Sequence, residues 1–235
     1  KKKMGGYYYV DNLSFTCKVM AVGATKNLSL ALQLDDISPA AIKSVTNNYS
    51  YSALGMNHFN QSGYIEYNQQ YAVIPLFYSA HRMLSNNVTQ INTIKQGLSG
   101  STQEFTVNIS FKNKALRELT IRNNFNLFII TDGQVNKNRK EIHLSGYKPT
   151  NLASTVFFNN NNDKSSRGYY TSEDNLPWGF LIAQDEYLSN ESALWKWPQE
   201  YIPIITAYSK FADWVLSGGT TELQWYKVYD SDKVY

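Results

Sequence analysis

Apolar residues fall at every second position over much of the chain. Leu13, Phe15, Cys17, Val19 and Ala21 alternate with Ser14, Thr16 and Lys18. Successive side chains of a strand point to opposite faces, so this pattern predicts a half-buried β-strand. Gly23 interrupts it, and Leu28, Leu30, Leu32 and Leu34 take it up again. Phe105, Val107, Ile109 and Phe111, separated by Thr106, Asn108 and Ser110, give the cleanest alternation. Tyr71 to Tyr78 and Leu127 to Ile130 are apolar without alternation, which predicts central strands covered on both faces. Pro75 within the first of these predicts a bulge or an edge at that point. Helical periodicity is strong only near the end, where Tyr208, Phe211, Ala212 and Val215 share a stripe that Trp214 widens. Pro203 precedes that stripe and Ser217-Gly218-Gly219 follows it, which predicts a helix of about three turns packed against a sheet. Shorter helices are expected around Pro39 to Val45 and Ala80 to Leu84.

These elements predict a mainly β fold: an antiparallel β-sandwich, jelly-roll-like, with long loops and one C-terminal α-helix packed on or beside a sheet. No internal repeat or linker divides the chain, so residues 1–235 are expected to form a single domain, a fragment of a longer exported protein. The expected core includes Phe15, Cys17, Val107, Ile109, Trp178, Trp197, Phe211, Trp214 and Trp225. Long polar connections run from Asn47 to Gly63, through much of Ser79 to Ser101, and from Asn159 to Asn175. Connections of this length are uncommon in compact domains unless they bind something or move.

Composition narrows the class. Hydrophobic residues make up 43% of the 235 positions and charged residues only 17%, too apolar for a disordered segment. The formal net charge is +3, and the one dense basic run, Lys1-Lys2-Lys3, lies at the extreme end. No basic stripe interleaved with aromatics is present, so nucleic acid is not an expected partner. The single cysteine, Cys17, excludes an intrachain disulfide, and its place in an alternating strand predicts a small core hydrophobe. No apolar run reaches the ~20 residues of a membrane helix, and the first residues lack the apolar stretch of a secretory signal.

Reactive constellations are sparse. His58, His81 and His143 have no metal-ligand spacing between them. His143 lies between Ile142 and Leu144 and reads as an exposed or hydrogen-bonded strand histidine. Asp35-Asp36, Glu173-Asp174 and Asp185-Glu186 are adjacent pairs whose members point apart in extended chain, so none makes a catalytic dyad by itself. No catalytic residue, metal site or cofactor is therefore assigned. A weak calcium pattern exists at Asn159, Asn161 and Asp163, but it lacks the turn glycine and the closing glutamate of a loop built for that ion. Tyr169, Tyr170 and Trp195 are the speculative ligand-binding residues, since exposed aromatic rings give rigid contact area and stack on sugar faces.

Several blocks together resemble the LruC-domain family, bacterial extracytoplasmic proteins that are often lipoproteins and are common in Bacteroidetes. They are Ala21-Val22-Gly23-Ala24 leading to Leu32-Gln33-Leu34, then Ala72-Val73-Ile74-Pro75-Leu76-Phe77 ending in Ala80-His81. Phe128-Ile129-Ile130 with Asp132-Gly133 follows, then Arg139-Lys140-Glu141-Ile142-His143-Leu144-Ser145-Gly146-Tyr147 and Pro149-Thr150-Asn151-Leu152-Ala153. Asn175-Leu176-Pro177-Trp178-Gly179, Trp197-Pro198 and Ala207 to Gly219 close the series. The acidic segment that usually precedes the first strand of the family is reduced here to Asp11-Asn12, and no metal role is assigned to it. The resemblance implies a β-rich module of the periplasm or outer-membrane surface, tied to a membrane only through a lipid anchor outside this chain. It implies no activity.

The expected function is a non-catalytic cell-surface module for adhesion, assembly or protein contact, its partner a surface protein or a glycan. A carbohydrate-binding module using loop aromatics is the alternative, and a glycan hydrolase a distant third.

Overall fold

The computed structural model describes residues 2–4, 7–48, 64–84, 90–112, 124–131, 139–155, 158, 163, 168–182 and 195–235. Two antiparallel sheets face each other across the main core. The first holds β3 (Asn12–Lys18), β7 (Glu104–Phe111) and β5 (Ile42–Asn47), in the order β3-β7-β5. The second holds β6 (Ala72–Phe77), β4 (Leu28–Leu34), β8 (Phe125–Thr131) and β9 (Lys140–His143), in the order β6-β4-β8-β9. A small ladder of β1 (Lys2–Met4) with β2 (Tyr7–Tyr9) precedes them. The mainly β sandwich expected from the alternating pattern is the observed architecture.

Alternation sets what each sheet buries. In β7 the odd-numbered Phe105, Val107, Ile109 and Phe111 are buried, while Glu104 and Asn108 face solvent. They meet Leu32 and Leu34 of β4 and Ile74 of β6 in one cluster. Edge-to-face ring pairs join the two sheets, Phe15 to Phe125 at 5.4 Å and Phe77 to Phe105 at 5.7 Å between centroids. Strand β4 is buried on both faces, because Ala31 joins Val73, Tyr78, Phe128 and Ile130 in a second cluster on the outer side of its sheet.

Three expectations about elements need correction. Strand β6 is an edge strand rather than a central one; it is fully buried because neighbouring chain covers it, with Glu66 N–H donating to Val73 O and Ala72 N–H to Ile37 O. Pro75 stands there opposite Ala31, next to the register shift between Leu30 and Ala31. The region from Pro39 to Val45 holds only a 3₁₀ turn at Pro39–Ala41, capped by Ser38, before β5 begins. The C-terminal helix is split into α2 (Ile204–Ala207) and α3 (Phe211–Leu216), α1 being Ala80–Met83.

The split has a physical cause. Tyr208 takes an extended backbone that stacks its ring on Trp195 and lets its hydroxyl donate to Lys196 O. With Phe180, Trp195, Trp214 and Trp225 the two helices form a third, aromatic core. Trp225 and Phe211 are fully buried in it, 4.8 Å apart.

Candidate functional site

Strand β9 and the residue before it read Arg139-Lys140-Glu141-Ile142-His143. Alternation puts Arg139, Glu141 and His143 on one face. That face is the outer side of the four-stranded sheet, where Phe128 and Ile130 of β8 stand opposite His143 and Glu141. Nε of Arg139 donates to Glu141 Oε1 at 2.5 Å, and its two Nη atoms grip both oxygens of Glu66, Nη2 to Oε2 at 2.9 Å. Thr150 donates to Glu141 through its hydroxyl at 2.6 Å and its N–H at 2.9 Å, and Gln69 Nε2 donates to Glu66 at 2.6 Å. His143 lies between Glu141 Oε2, 2.8 Å from Nε2, and Asn126 Oδ1, 2.6 Å from Nδ1. Its ring stacks 4.3 Å above Phe128 and, on the other side, 5.1 Å from Tyr170.

All of these charged side chains are at most 4% exposed. Burial pushes the Glu141 carboxyl up, but the hydrogen bond from His143 and the charge of Arg139 outweigh it and hold its pKa at about 2. Burial pulls the His143 imidazole below its ordinary value against the opposing pull of Glu141. A glycosidase needs two carboxyls across an open cleft. Glu66 and Glu141 instead share one buried guanidinium. The cluster is a clamp: it ties residues 66–69 and 150–154 to the outer sheet face.

The open feature lies beside the clamp. A groove of about 780 Å³ runs between the turn Leu144–Tyr147, the segment Pro177–Leu181 and helix α3. Leu144, Tyr147, Phe180, Leu181, Trp214 and Val215 supply its apolar walls, and among the described residues none that lines it is charged. Two left-handed glycines close α3 at the groove, with Gly218 N–H donating to Val215 O and Gly219 N–H to Trp214 O. The opposite wall is held by the clamp's cover: Tyr170 O accepts from Ser145 Oγ at 2.5 Å and from Trp178 N–H at 3.0 Å.

The residues singled out in the sequence are scattered. Tyr170 is 1% exposed against His143, so it is not a surface ligand-binding ring; stacking on the imidazole buries it. Tyr169 is half-buried, and Trp195 is half-buried inside the aromatic core, packed on Phe180 and Trp225. Asn159 and Asn161 lie outside the described residues, and Asp163 is buried near Tyr170. No group of three His, Cys, Asp or Glu side chains suited to a metal ion occurs among the described residues.

Val107, Ile109, Phe211 and Trp225 are fully buried, and Phe15 and Cys17 are half-buried at the margin of the main core. Trp178, Trp197 and Trp214 are half-buried: Trp214 packs against the aromatic core, while Trp178 meets the ring of Tyr170 at its edge. Trp197 stacks on Tyr235 and donates to Asn92 O at 2.6 Å. Sequence reasoning missed Arg139, Glu141 and Glu66. Ionisable residues at positions i, i+2 and i+4 of a strand were the visible signal; Glu66 is too distant in sequence to have been paired with them.

No curated protein matches the chain. Its fold is similar to the crystal structure of a putative lipoprotein from Bacteroides ovatus, with a TM-score of 0.68 and 18% identity over 100% of this chain. The chain spans 66% of the length of that protein. A family model described as "Domain of unknown function (DUF4842)" matches residues 9–226, and the chain belongs to that family.

Proposed function

We propose that this chain is a non-catalytic, extracytoplasmic module of LruC-like type that receives an apolar protein segment in the groove between Leu144–Tyr147, Pro177–Leu181 and α3. The groove carries this reading: it is open, apolar and, among the described residues, lined by no charged group, while the strongly interacting ionisable cluster is buried and self-paired. Exposed apolar residues continue around it, with Leu181 and Leu216 at 47% and 63% exposure. Similarity in fold to a putative lipoprotein supports a place outside the cytoplasm. A sugar site would need amide or carboxylate partners beside the rings, and among the described residues the lining offers none.

The test is a photoreactive side chain at position 181 in the full-length protein on intact cells, with exposed position 104 as control. One protein adduct of defined mass at 181 and none at 104 is expected. Equal labelling at both positions, no adduct at 181, or retention of a glycan that protects Trp214 from oxidation would overturn the reading.

A further inference from the structure

Strand β3 differs from the other edges of the sandwich. The edge of β6 is closed by Glu66 and Ile37, and that of β9 by Ser154, whose N–H donates to Arg139 O at 2.8 Å. The β5 ladder carries a register shift between Ile42 and Ser44, and Asn47 Nδ2 reaches across to Leu76 O. By contrast, β3 pairs with β7 without a shift over all seven residues, from Asn12 opposite Ser110 to Lys18 opposite Glu104. It contains no proline, and among the described residues its outer edge pairs with no other strand.

The phase of the ladder says which groups are free. Phe111 N–H donates to Asp11 O, so residue 11 and, by alternation, Leu13, Phe15 and Cys17 exchange hydrogen bonds with β7. The backbone N–H and C=O groups of Asn12, Ser14, Thr16 and Lys18 therefore point outward. An unpaired row of this kind is a template for another strand. The core face is open there too: Leu13, Phe15 and Cys17 are half-buried, whereas Ile109 and Val107 opposite the first two are fully buried.

One occupant satisfies both faces of this edge, namely the same strand from a second copy. Antiparallel pairing about Phe15 sets Asn12 opposite Lys18, Leu13 opposite Cys17, Ser14 opposite Thr16 and Phe15 opposite itself. Every apolar residue then meets an apolar residue on the core side. On the outer side small polar groups face each other, and Lys18 meets Asn12 rather than another lysine. The outward-pointing residues are the ones that exchange hydrogen bonds in this register. We propose that β3 is a homotypic edge through which two copies join their three-stranded sheets into one continuous sheet. The proposal stands apart from the groove and survives if the groove reading fails.

Sedimentation equilibrium tests it, up to about 100 μM because a short edge-to-edge seam lies at the small end of protein interfaces. The expected mass at the upper concentrations is twice the 26.9 kDa of one chain. Thr16→Pro removes an outward N–H that β7 does not use, so it should weaken association at least tenfold while the circular-dichroism melt is retained. Ser14→Lys/Thr16→Lys places lysines opposite lysines and should give single chains; mixing it with Ser14→Glu/Thr16→Glu should restore the pair. A single-chain mass at every concentration overturns the proposal, as does a dimer indifferent to these substitutions. Failure of the oppositely charged variants to associate does the same.

Discussion

Removing Arg139 should reveal how much the buried clamp contributes. Its guanidinium is 2% exposed and is shared by two carboxylates that are themselves almost fully buried. In Arg139→Met the shape is roughly kept, while Glu66 and Glu141 lose their common counter-charge in a place water does not reach. Breaking a buried ion pair by deleting one partner costs about 3–5 kcal/mol. For a chain of this size each kcal/mol lowers Tm by about 3 °C, so a fall of roughly 10 °C is expected. The loss should also depend on pH with a definite sign. The charge of Arg139 helps hold the Glu141 carboxyl down, so without it a proton stabilises the variant relative to the parent as pH falls. The deficit relative to the parent should therefore be largest near neutral pH and shrink as the solution is acidified. Urea unfolding followed by tryptophan fluorescence measures both. A loss under about 1 kcal/mol, or one that does not shrink as pH falls, would refute the claim that two desolvated carboxylates share Arg139 as their counter-charge.

Three further outcomes are expected. In the parent protein the Glu141 pKa falls from an ordinary 4.5 to about 2, so its contribution of about 3 kcal/mol is present above pH 4.5 and lost as pH falls towards 2, readable as an acid limb in the urea midpoint that Glu141→Gln flattens. Gly146 has φ of +89°, so Gly146→Val should cost about 1–3 kcal/mol through backbone strain, since no neighbouring atom lies in the way of the added side chain. Burial raises the phenol pKa of Tyr170 and Tyr208, so ultraviolet titration should find two tyrosines that fail to ionise with the rest, one of them lost in Tyr170→Phe.

What could be read from the sequence was whatever depends on local period. Strand β7 repeats its apolar residues every two positions and is buried that way, because one of its faces meets the core and the other meets solvent. Strand β4 was harder. Its leucines marked the inner face, but Ser29 and Gln33 on the outer face are buried as well, Ser29 through a hydrogen bond to Tyr78 O. A polar residue held by a distant carbonyl leaves no periodic trace. The clamp failed to show for the same reason. Glu66 and Arg139 stand 73 positions apart, and nothing local tells Glu66 from a solvated glutamate. The C-terminal stripe did predict a helix, but helical period cannot announce that Tyr208 will leave the helix to stack on Trp195.

The clamp and the groove are mechanically one object. A buried ionic cluster adds little stability over an apolar core of equal volume, yet it tolerates few arrangements, because each charge must find its own partner. Here those partners come from the sheet, through Arg139, Glu141 and Asn126, and from the covering chain, through Glu66, Gln69 and Thr150. The cover therefore sits on the sheet in one register. Tyr170 carries that register to the surface, with its ring against His143 and its carbonyl holding both Ser145 and Trp178. Those two residues lie within the turn and the segment that wall the groove opposite α3. An apolar groove whose wall is fixed in this way receives a partner without first being ordered, which removes part of the entropic cost of binding. Loosening the clamp should therefore weaken capture at position 181 even where the fold survives, and the two features should fail together.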